Sequence, residues 1–416
     1  MGIFDRFRST PKKKSGIQDY LDNQLVKEAR TPTYDSVAAS AVDSYKMDPP
    51  YDQYYLEYLS DNYSHLRTVI TKLASQTVAK GWSLEPTVED PSEIQKEVLE
   101  KLLDDPTNGD SDISGMEFFK AMVRQLEIFD DCWISIVYDY IKDESGNIVG
   151  KQVKQLWMED AKKMRFMTDR FGRFQKEQRM NPVTRRMTGE MYDPDDGSMT
   201  VPVAYVHEDD EEGDIPFARD EIIHFNKYSA SARLYGQSPI LGLARKIETG
   251  LAIEKYQNKI YRLERPPKGF LDIPNVDEKG LSRLGEYIAQ ETKRNPNFVP
   301  IISSGEGGSS ARFVPVMPNM SELEMLPYID RINQDINSAF GVMPLAVGDT
   351  TGIGGLNAEG EQVTMMDKTI LETQECITLG FANKLLDLMK ITDYEFTFTE
   401  LNDENEQVKL QNLSMK

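Results

Sequence analysis

Hydrophobic positions along this chain change period several times, and each change marks an element. Leu66, Val69, Ile70, Leu73 and Val78 recur at helical spacing, which predicts a helix from about Leu56 to Ala79 with Gly81 as its stop. A second helix is predicted over about Pro91 to Leu103. A third covers Gly115 to Phe129, with Phe118, Met122 and Leu126 on one face. From Asp131 the period drops to two. Cys132–Asp143, the turn residues Glu144–Asn147 and Ile148–Met158 read as a β-hairpin. Short strands follow within Arg165–Phe174 and Met187–Val206, around turns at Phe171–Arg173 and Asp193–Gly197. The acidic run His207–Asp214 reads as a loop, and Glu221–Phe225 as a strand. Residues 60–230 are thus expected to form an α+β body.

A different regime begins at Ser238. Ser238 as N-cap and Pro239 at the first helical position launch a long helix to Arg265, which Pro266 and Pro267 end. Its stripe runs Ile240, Ala244, Ile247, Leu251, then resumes one step off as Ile253, Tyr256, Ile260, Leu263. A stripe that changes face midway predicts different neighbours along the helix. Residues 268–318 form a small insertion: a strand at Gly269–Pro274, a helix at Asp277–Lys293, and strands at Phe298–Ser303 and Ala311–Met317 around SSGEGGSS. A second long helix covers about Ser321 to Ala339, with Pro327 in its opening turns. A glycine-rich loop spans Gly348–Gly360, a further helix Glu361–Met389, and the strand YEFTFTEL closes the ordered part. Two long helices bracketing a small insertion cannot bury both faces against one body. Packing side by side around an axis with identical copies satisfies them.

Composition narrows the function. At 416 residues the chain exceeds one core, so two or three units are expected. No apolar run approaches the roughly 20 residues that cross a bilayer, and no membrane partner is expected. The opening MGIFDRFRSTPKKK has no signal-peptide apolar segment and carries Arg6 where a myristoylation signal needs Ser or Thr, so it reads as a loose basic arm. The two cysteines, Cys132 and Cys376, have no paired spacing and are expected to be free thiols. With three histidines, metal-based or histidine-based catalysis has little material. A formal charge of -21, from 69 acidic and 48 basic residues, argues against tight non-specific binding of duplex DNA. It is compatible with DNA passing through.

Two stretches carry a specific resemblance. Asp220–Pro274 (DEIIHFNKYSASARLYGQSPILGLARKIETGLAIEKYQNKIYRLERPPKGFLDIP) places a strand, a Ser/Ala/Gly loop, a Gly-Gln-Ser-Pro turn, a long helix and a Pro-Pro stop in that order. INSAFGVMPLAVG follows at Ile336–Gly348, and DTTGIGGLNAEGE after it. This order resembles the tailed-virus portal proteins, in particular the portal family of the long-tailed phages. The resemblance implies an α+β portal fold with an α/β wing, long stem helices, a small α/β clip, a tunnel loop and a minimal or absent crown. By position, 1–24 is the arm, 25–237 and 361–400 the wing, 238–267 and 319–342 the stem, 268–318 the clip, 343–360 the tunnel-loop region and 401–416 a short acidic tail. It further implies a homododecameric channel at one capsid vertex of a virion, assembled in the host cytoplasm. Its implied partners are double-stranded viral DNA, the large terminase, the major capsid protein and scaffold, and a head-completion adaptor. Another ring-forming connector or adaptor, or remotely a metal-dependent nuclease, are the alternatives.

The chemistry-bearing constellations agree with a non-enzymatic role and no cofactor. TGIGGLNAEG follows a helix and lacks the Lys of a phosphate-binding loop, DPDDG fails the EF-hand pattern at Gly197, and no catalytic residue or metal ligand is assigned. His224, in an apolar strand, reads as a satisfied core or interface histidine. The DNA-facing loop implied by the resemblance is Asp349, Thr350, Thr351, Gly352, Ile353, Gly354, Gly355, Leu356 and Asn357. The implied docking residues of the clip are Phe270, Asp272, Glu278, Arg283 and Glu306. On the stem, Lys255, Lys259, Arg262 and Arg265 face two readings: ion pairs between subunits with residues such as Asp330 and Asp335, or a basic belt in the channel. Pairing is favoured, because exposed belts would retard DNA.

Overall fold

The structure, a computed structural model, describes residues 45–142, 148–169, 171–195, 197–209, 213–228, 234–261, 269–272, 283, 286, 301–302, 312–315, 325–347 and 356–399. The elements begin with β1 (Lys46–Met47), α1 (Gln53–Asn62), α2 (Ser64–Thr77), β2 (Trp82–Pro86), α3 (Glu93–Asp104), α4 (Gly115–Phe129), β3 (Cys132–Lys142), β4 (Ile148–Met158) and β5 (Met164–Met167). Short strands β6 (Arg179–Met180), β7 (Met187–Thr188), β8 (Val201–Pro202), β9 (Tyr205–His207), β10 (Ile215–Phe217) and β11 (Ile222–Phe225) precede α5 (Ile240–Tyr261). Then come β12 (Gly269–Asp272), β13 (Ile301–Ile302), β14 (Arg312–Pro315), α6 (Met325–Ala339), α7 (Leu356–Ile377), α8 (Asn383–Met389) and β15 (Tyr394–Phe398). The chain divides into two compact units. One holds the described residues up to Glu57, Ala74–Ser238 and those from Glu372 onward; the other holds Tyr58–Leu73 and Pro239–Leu371.

The first unit is built on the predicted helix and hairpin. Ser114 caps α4 with its hydroxyl on the Glu117 N–H, and the Glu117 carboxylate returns the bond to the Ser114 N–H, so two orphan donors are satisfied together. Phe118, Phe119, Met122, Val123 and Leu126 then fall on one buried face. Each such side chain contributes about 1.5–3 kcal/mol by leaving water. In the hairpin, Ile134 pairs with Met158 and Ile136 with Leu156, and β11 flanks β3 with Phe225 opposite Cys132. The core gathers Phe119, Phe381 and Phe396, with Phe119 edge-on to Phe381 and stacked on Phe396. β15 pairs antiparallel with β2, so the last described strand closes over α4.

The second unit centres on α5 and α6. Lys246 reaches Asp335 at 2.6 Å. Farther along α5, Gly250 lies under the Tyr63 ring, whose hydroxyl donates to Asn333 Oδ1 at 3.0 Å. The contacts run in opposite senses along the two helices, which are therefore antiparallel. A Cβ on Gly250 would sit 2.6 Å from the ring, so the missing side chain is what admits Tyr63. The insertion between α5 and α6 contains the sheet β13-β12-β14, parallel on one side and antiparallel on the other.

Four expectations need correction. The single helix over 56–79 is two helices with a bend at Tyr63, and bonds from Tyr63 N to Leu59 O and from Arg67 N to Tyr63 O carry the helical ladder across it. Tyr58–Leu73 groups with the second unit rather than with the α+β body, because Tyr63 and His65 bond to Asn333 and Asn337 of α6. The regular part of the long helix starts at Ile240, one residue after the expected Pro239, and the Ser238 hydroxyl donates to the Ile128 carbonyl at 2.6 Å. The last helical region starts at Leu356, five residues before the expected Glu361. A π turn at Thr378–Ala382 interrupts it and sets Gly380 against the Phe225 ring. The helix expected over Asp277–Lys293 lies outside the described residues except for Arg283 and Glu286, both helical.

Candidate functional site

Two buried polar constructions stand out, one in each unit. In the first, α4 ends at Asp130, whose backbone is left-handed (φ 56°, ψ 26°), a conformation that Asp tolerates better than most residues. This turn aims Asp130 and Asp131 at the segment that precedes α5. Asp130 Oδ1 accepts the N–H groups of Lys227 at 2.8 Å and Tyr228 at 3.0 Å, and its Oδ2 accepts that of Gln237 at 2.7 Å. Asp131 Oδ1 accepts the Gly236 N–H at 3.0 Å and lies 2.8 Å from His224 Nε2. Two adjacent carboxylates thus gather the start and the finish of one loop. His224, packed against the Trp133 ring at 4.1 Å, is a satisfied core histidine, as expected.

Next to the clamp, Lys227 Nζ meets Glu127 Oε1 at 3.0 Å and Thr373 Oγ1 at 3.0 Å, with the ion pair almost wholly buried. Burial works against the Lys227 ammonium, but the Glu127 carboxylate more than offsets it and holds the pKa above the ordinary lysine value. Cys132 is buried and Cys376 partly so, both free, and burial pushes both thiols up, Cys376 to about 11. Neither has the depressed pKa of a nucleophile. Among the described residues no group of three or more His, Cys, Asp or Glu could hold a metal ion, and no helix is long and apolar enough to cross a membrane.

Burial pushes the Asp130 carboxyl up to about 6, against the pull of the Tyr228, Gln237 and Lys227 N–H groups. The folded chain therefore holds a proton there that the unfolded chain, near 3.8, has released. This contribution is greatest at and below about pH 4, falls as pH rises toward 6, and is flat above; in all it amounts to about 3 kcal/mol. Urea unfolding across that window should show the decline, and Asp130→Asn should flatten its share of it. A variant with an unchanged slope would refute the assignment.

In the second unit, α6 presents Asn333 to Tyr63, Asn337 Oδ1 to His65 Nε2 at 2.9 Å, and Asp335 to Lys246. Ile332, Ile336 and Phe340 form its buried stripe. The helix closes in a Schellman turn: Gly341, at φ 61°, donates to Ser338 O, and Val342 to Asn337 O at 2.9 Å. The glycine of INSAFGVMPLAVG is thus a helix stop that needs a left-handed residue. On α5, Ile240, Leu243 and Ile247 are buried, whereas Leu251, Ile253 and Tyr256 are only half-buried; at the facing end of α6, Leu326 and Tyr328 are exposed. The far end of the helix pair leaves apolar surface open.

The residues singled out from sequence distribute unevenly. Asp335 is engaged by Lys246 of its own chain, while Lys255 and Asp330 are exposed. Lys259 lies within α5, and Arg262 and Arg265 lie outside the described residues. Phe270 and Asp272 belong to β12, opposite Val314 and Arg312; Arg283 is exposed on a helical turn; Glu278 and Glu306 lie outside. Of the loop residues, Asp349, Thr350, Thr351, Gly352, Ile353, Gly354 and Gly355 lie outside the described residues, and Leu356 and Asn357 form the first turn of α7 instead of loop. Sequence reasoning missed Glu127, Asp130, Asp131 and Lys227. Their one visible signal is Glu127, a charge placed among the apolar residues that end α4.

The family model described as "Phage portal protein" matches residues 65–412. No curated protein matches the chain by sequence. Among solved structures, a chain of the "Virion of native gene transfer agent (GTA) particle" is similar at 15% identity and a TM-score of 0.55, over 88% of this chain and 89% of that one. A chain of the "Neck of native GTA particle computed with C12 symmetry" is similar at 15% identity and a TM-score of 0.52, over 86% and 87%.

Proposed function

This chain belongs to the phage portal protein family, a family of virion structural components rather than catalysts, and from that membership we propose that twelve copies form the channel at one vertex of a capsid. Genome DNA enters and leaves through this ring. The terminase motor and later the head-completion proteins dock on its clip, about residues 268–318, and the ring takes part in starting capsid assembly. Stem helices are α5 and α6, the tunnel loop is Asp349–Gly355 with Leu356 and Asn357 at its junction with α7, and the first unit supplies the wing. The twelvefold count takes support from the C12 symmetry of the neck of the native gene transfer agent particle.

The observation that carries this reading is the open apolar end of the α5–α6 pair. Leu251, Ile253, Tyr256, Leu326 and Tyr328 lack full cover within their own chain. A neighbouring copy supplies it, and head-to-tail repetition of that contact closes a ring. Asp335 already holds Lys246, and Lys255 and Asp330, both exposed, are the stem charges we assign to pairing between subunits. Images of the purified protein down the symmetry axis test the ring directly. In the double variant Leu326→Glu/Tyr328→Glu, losing about 4 kcal/mol of burial per contact weakens association roughly 1,000-fold, and mass photometry should find small species with unchanged circular dichroism. Rings that persist undiminished in this variant would refute the stem assignment.

A further inference from the structure

The first unit carries a surface cavity, part apolar and part charged, that the ring-and-channel reading leaves unused. It has a volume of about 480 Å³ and lies among α3, α4, β2 and β15. Trp82, Leu84, Phe119 and Phe398 form its apolar wall, Met116 stands exposed at its mouth, and Glu100 and Asp104 lie on its rim. Trp82 is stacked on Phe396, and Phe398 lies edge-on to Phe119, so the wall is a rigid aromatic surface. Its charged lining is Glu100 and Asp104 against Lys96, set in a strongly acidic stretch of sequence. From Glu85 to Glu117 the chain has eleven acidic residues against Lys96 and Lys101, and Lys96 is 3.9 Å from Glu100. An occupant must therefore bring both an aromatic or aliphatic anchor and positive charge.

One segment of this chain has that chemistry. Residues 3–14, IFDRFRSTPKKK, interleave Ile3, Phe4 and Phe7 with Arg6, Arg8, Lys12, Lys13 and Lys14, against the single acid Asp5. The segment lies outside the described residues, and the chain is next described at Tyr45. The intervening 30 residues can span up to about 100 Å, ample for any point on the same unit. Such a tether also holds the arm at an effective concentration that favours its own chain over a neighbour's. The other uncovered end, residues 400–416, leaves β15 beside Phe398, but it opens with Glu400, Asp403, Glu404 and Glu406 and would meet like charge at the rim.

We propose that the basic N-terminal arm docks in cis on this cavity, with Phe4 or Phe7 against Trp82 and Phe398, and Arg6 and Arg8 on Glu100 and Asp104. The aromatic residue provides the burial and the arginines set the orientation. Because the rim charges are exposed, the contact weakens with salt.

The test uses the full-length protein with a photo-crosslinking phenylalanine analogue at Phe7, mapped by mass spectrometry. Cross-links are expected on the tracts containing Trp82, Met116 and Phe398. Their yield should fall at least tenfold in Glu100→Lys/Asp104→Lys and, separately, in Met116→Glu, whose exposed site leaves folding intact. Arg6→Glu combined with Glu100→Lys should restore part of it. Mixing isotopically heavy and light protein separates the sources: cross-links within one copy support docking in cis, and cross-links between heavy and light copies overturn it. Cross-links that map elsewhere, or that the charge reversals leave unchanged, overturn the site altogether. So does the same cavity captured instead by an analogue placed at Leu410.

Discussion

Gly236→Ala is expected to destabilise the protein by about 4 kcal/mol or more, one of the largest effects of any single methyl group in this chain. A Cβ at that position would lie 1.9 Å from the Asp130 carbonyl oxygen, 2.5 Å from its Oδ2 and 2.7 Å from its Cγ. Two of these are side-chain atoms locked by the Lys227, Tyr228 and Gln237 N–H groups, and the third is backbone, so none can yield cheaply. Overpacking alone accounts for about 1–3 kcal/mol. Moving the segment back also breaks the bonds from Gly236 N–H to Asp131 and from Gln237 N–H to Asp130, each worth about 1.5–3 kcal/mol when the acceptor is charged.

The same substitution elsewhere calibrates this result. Gly242, in the first turns of α5, has nothing within 4 Å of a built Cβ. There Gly→Ala gains helix propensity and should stabilise by up to about 1 kcal/mol. Opposite signs at two glycines six positions apart would isolate the carboxylate clamp from any general effect of lost glycine. Chemical denaturation that finds Gly236→Ala within about 1 kcal/mol of the parent would remove the clamp from the list of determinants. Because Gly236 immediately precedes the long helix, the proposed ring should fail with it, giving images without annuli.

The elements that local chemistry dictates could be read from the chain, and those that depend on distant partners could not. Gly115–Phe129 was legible to the residue, since Phe118, Met122 and Leu126 recur on one face, and the Ser114/Glu117 cap fixes its start. The β3–β4 hairpin was equally clear from its period of two. The start of α7 was placed too late because Gly360 looked like loop, yet a helix of this length absorbs the roughly 1 kcal/mol that one glycine costs. The bend at Tyr63 was invisible, as was the grouping of Tyr58–Leu73 with the second unit. Both depend on Asn333 and Gly250, far away in sequence, and on a ring that fits only where a Cβ is missing. The carboxylate clamp was hidden for a similar reason. Asp-Asp after a helix reads as a polar turn, and only the approach of Gly236 and Gln237, more than a hundred residues later, makes it a core. Of the described residues given roles on the stem and the clip, the sequence predicted the helix or strand they occupy better than their neighbours, as Asp335 and Lys246 illustrate.

Lys227→Met should destabilise by about 3–5 kcal/mol, the range for breaking a buried ion pair from one side. The methionine fills much of the lysine's space, so the loss is electrostatic rather than a cavity. Glu127, wholly enclosed, already has its pKa pushed up by burial, and Lys227 is the main pull in the opposite direction. Without the ammonium, the carboxyl stays folded by holding a proton. Its folded pKa then exceeds the unfolded value further, so the variant should lose stability progressively as pH rises from about 4.5, and the gap from the parent should be wider at pH 8 than at pH 5. Glu127→Gln added to Lys227→Met removes the stranded charge and should recover most of the loss, because a neutral pair has no ion to desolvate. Urea unfolding of the parent, Glu127→Gln, Lys227→Met and the double variant at both pH values closes the cycle. A double variant as unstable as Lys227→Met, or a gap that does not depend on pH, would mean that Lys227 acts through its packing and its bond to Thr373 and not through Glu127.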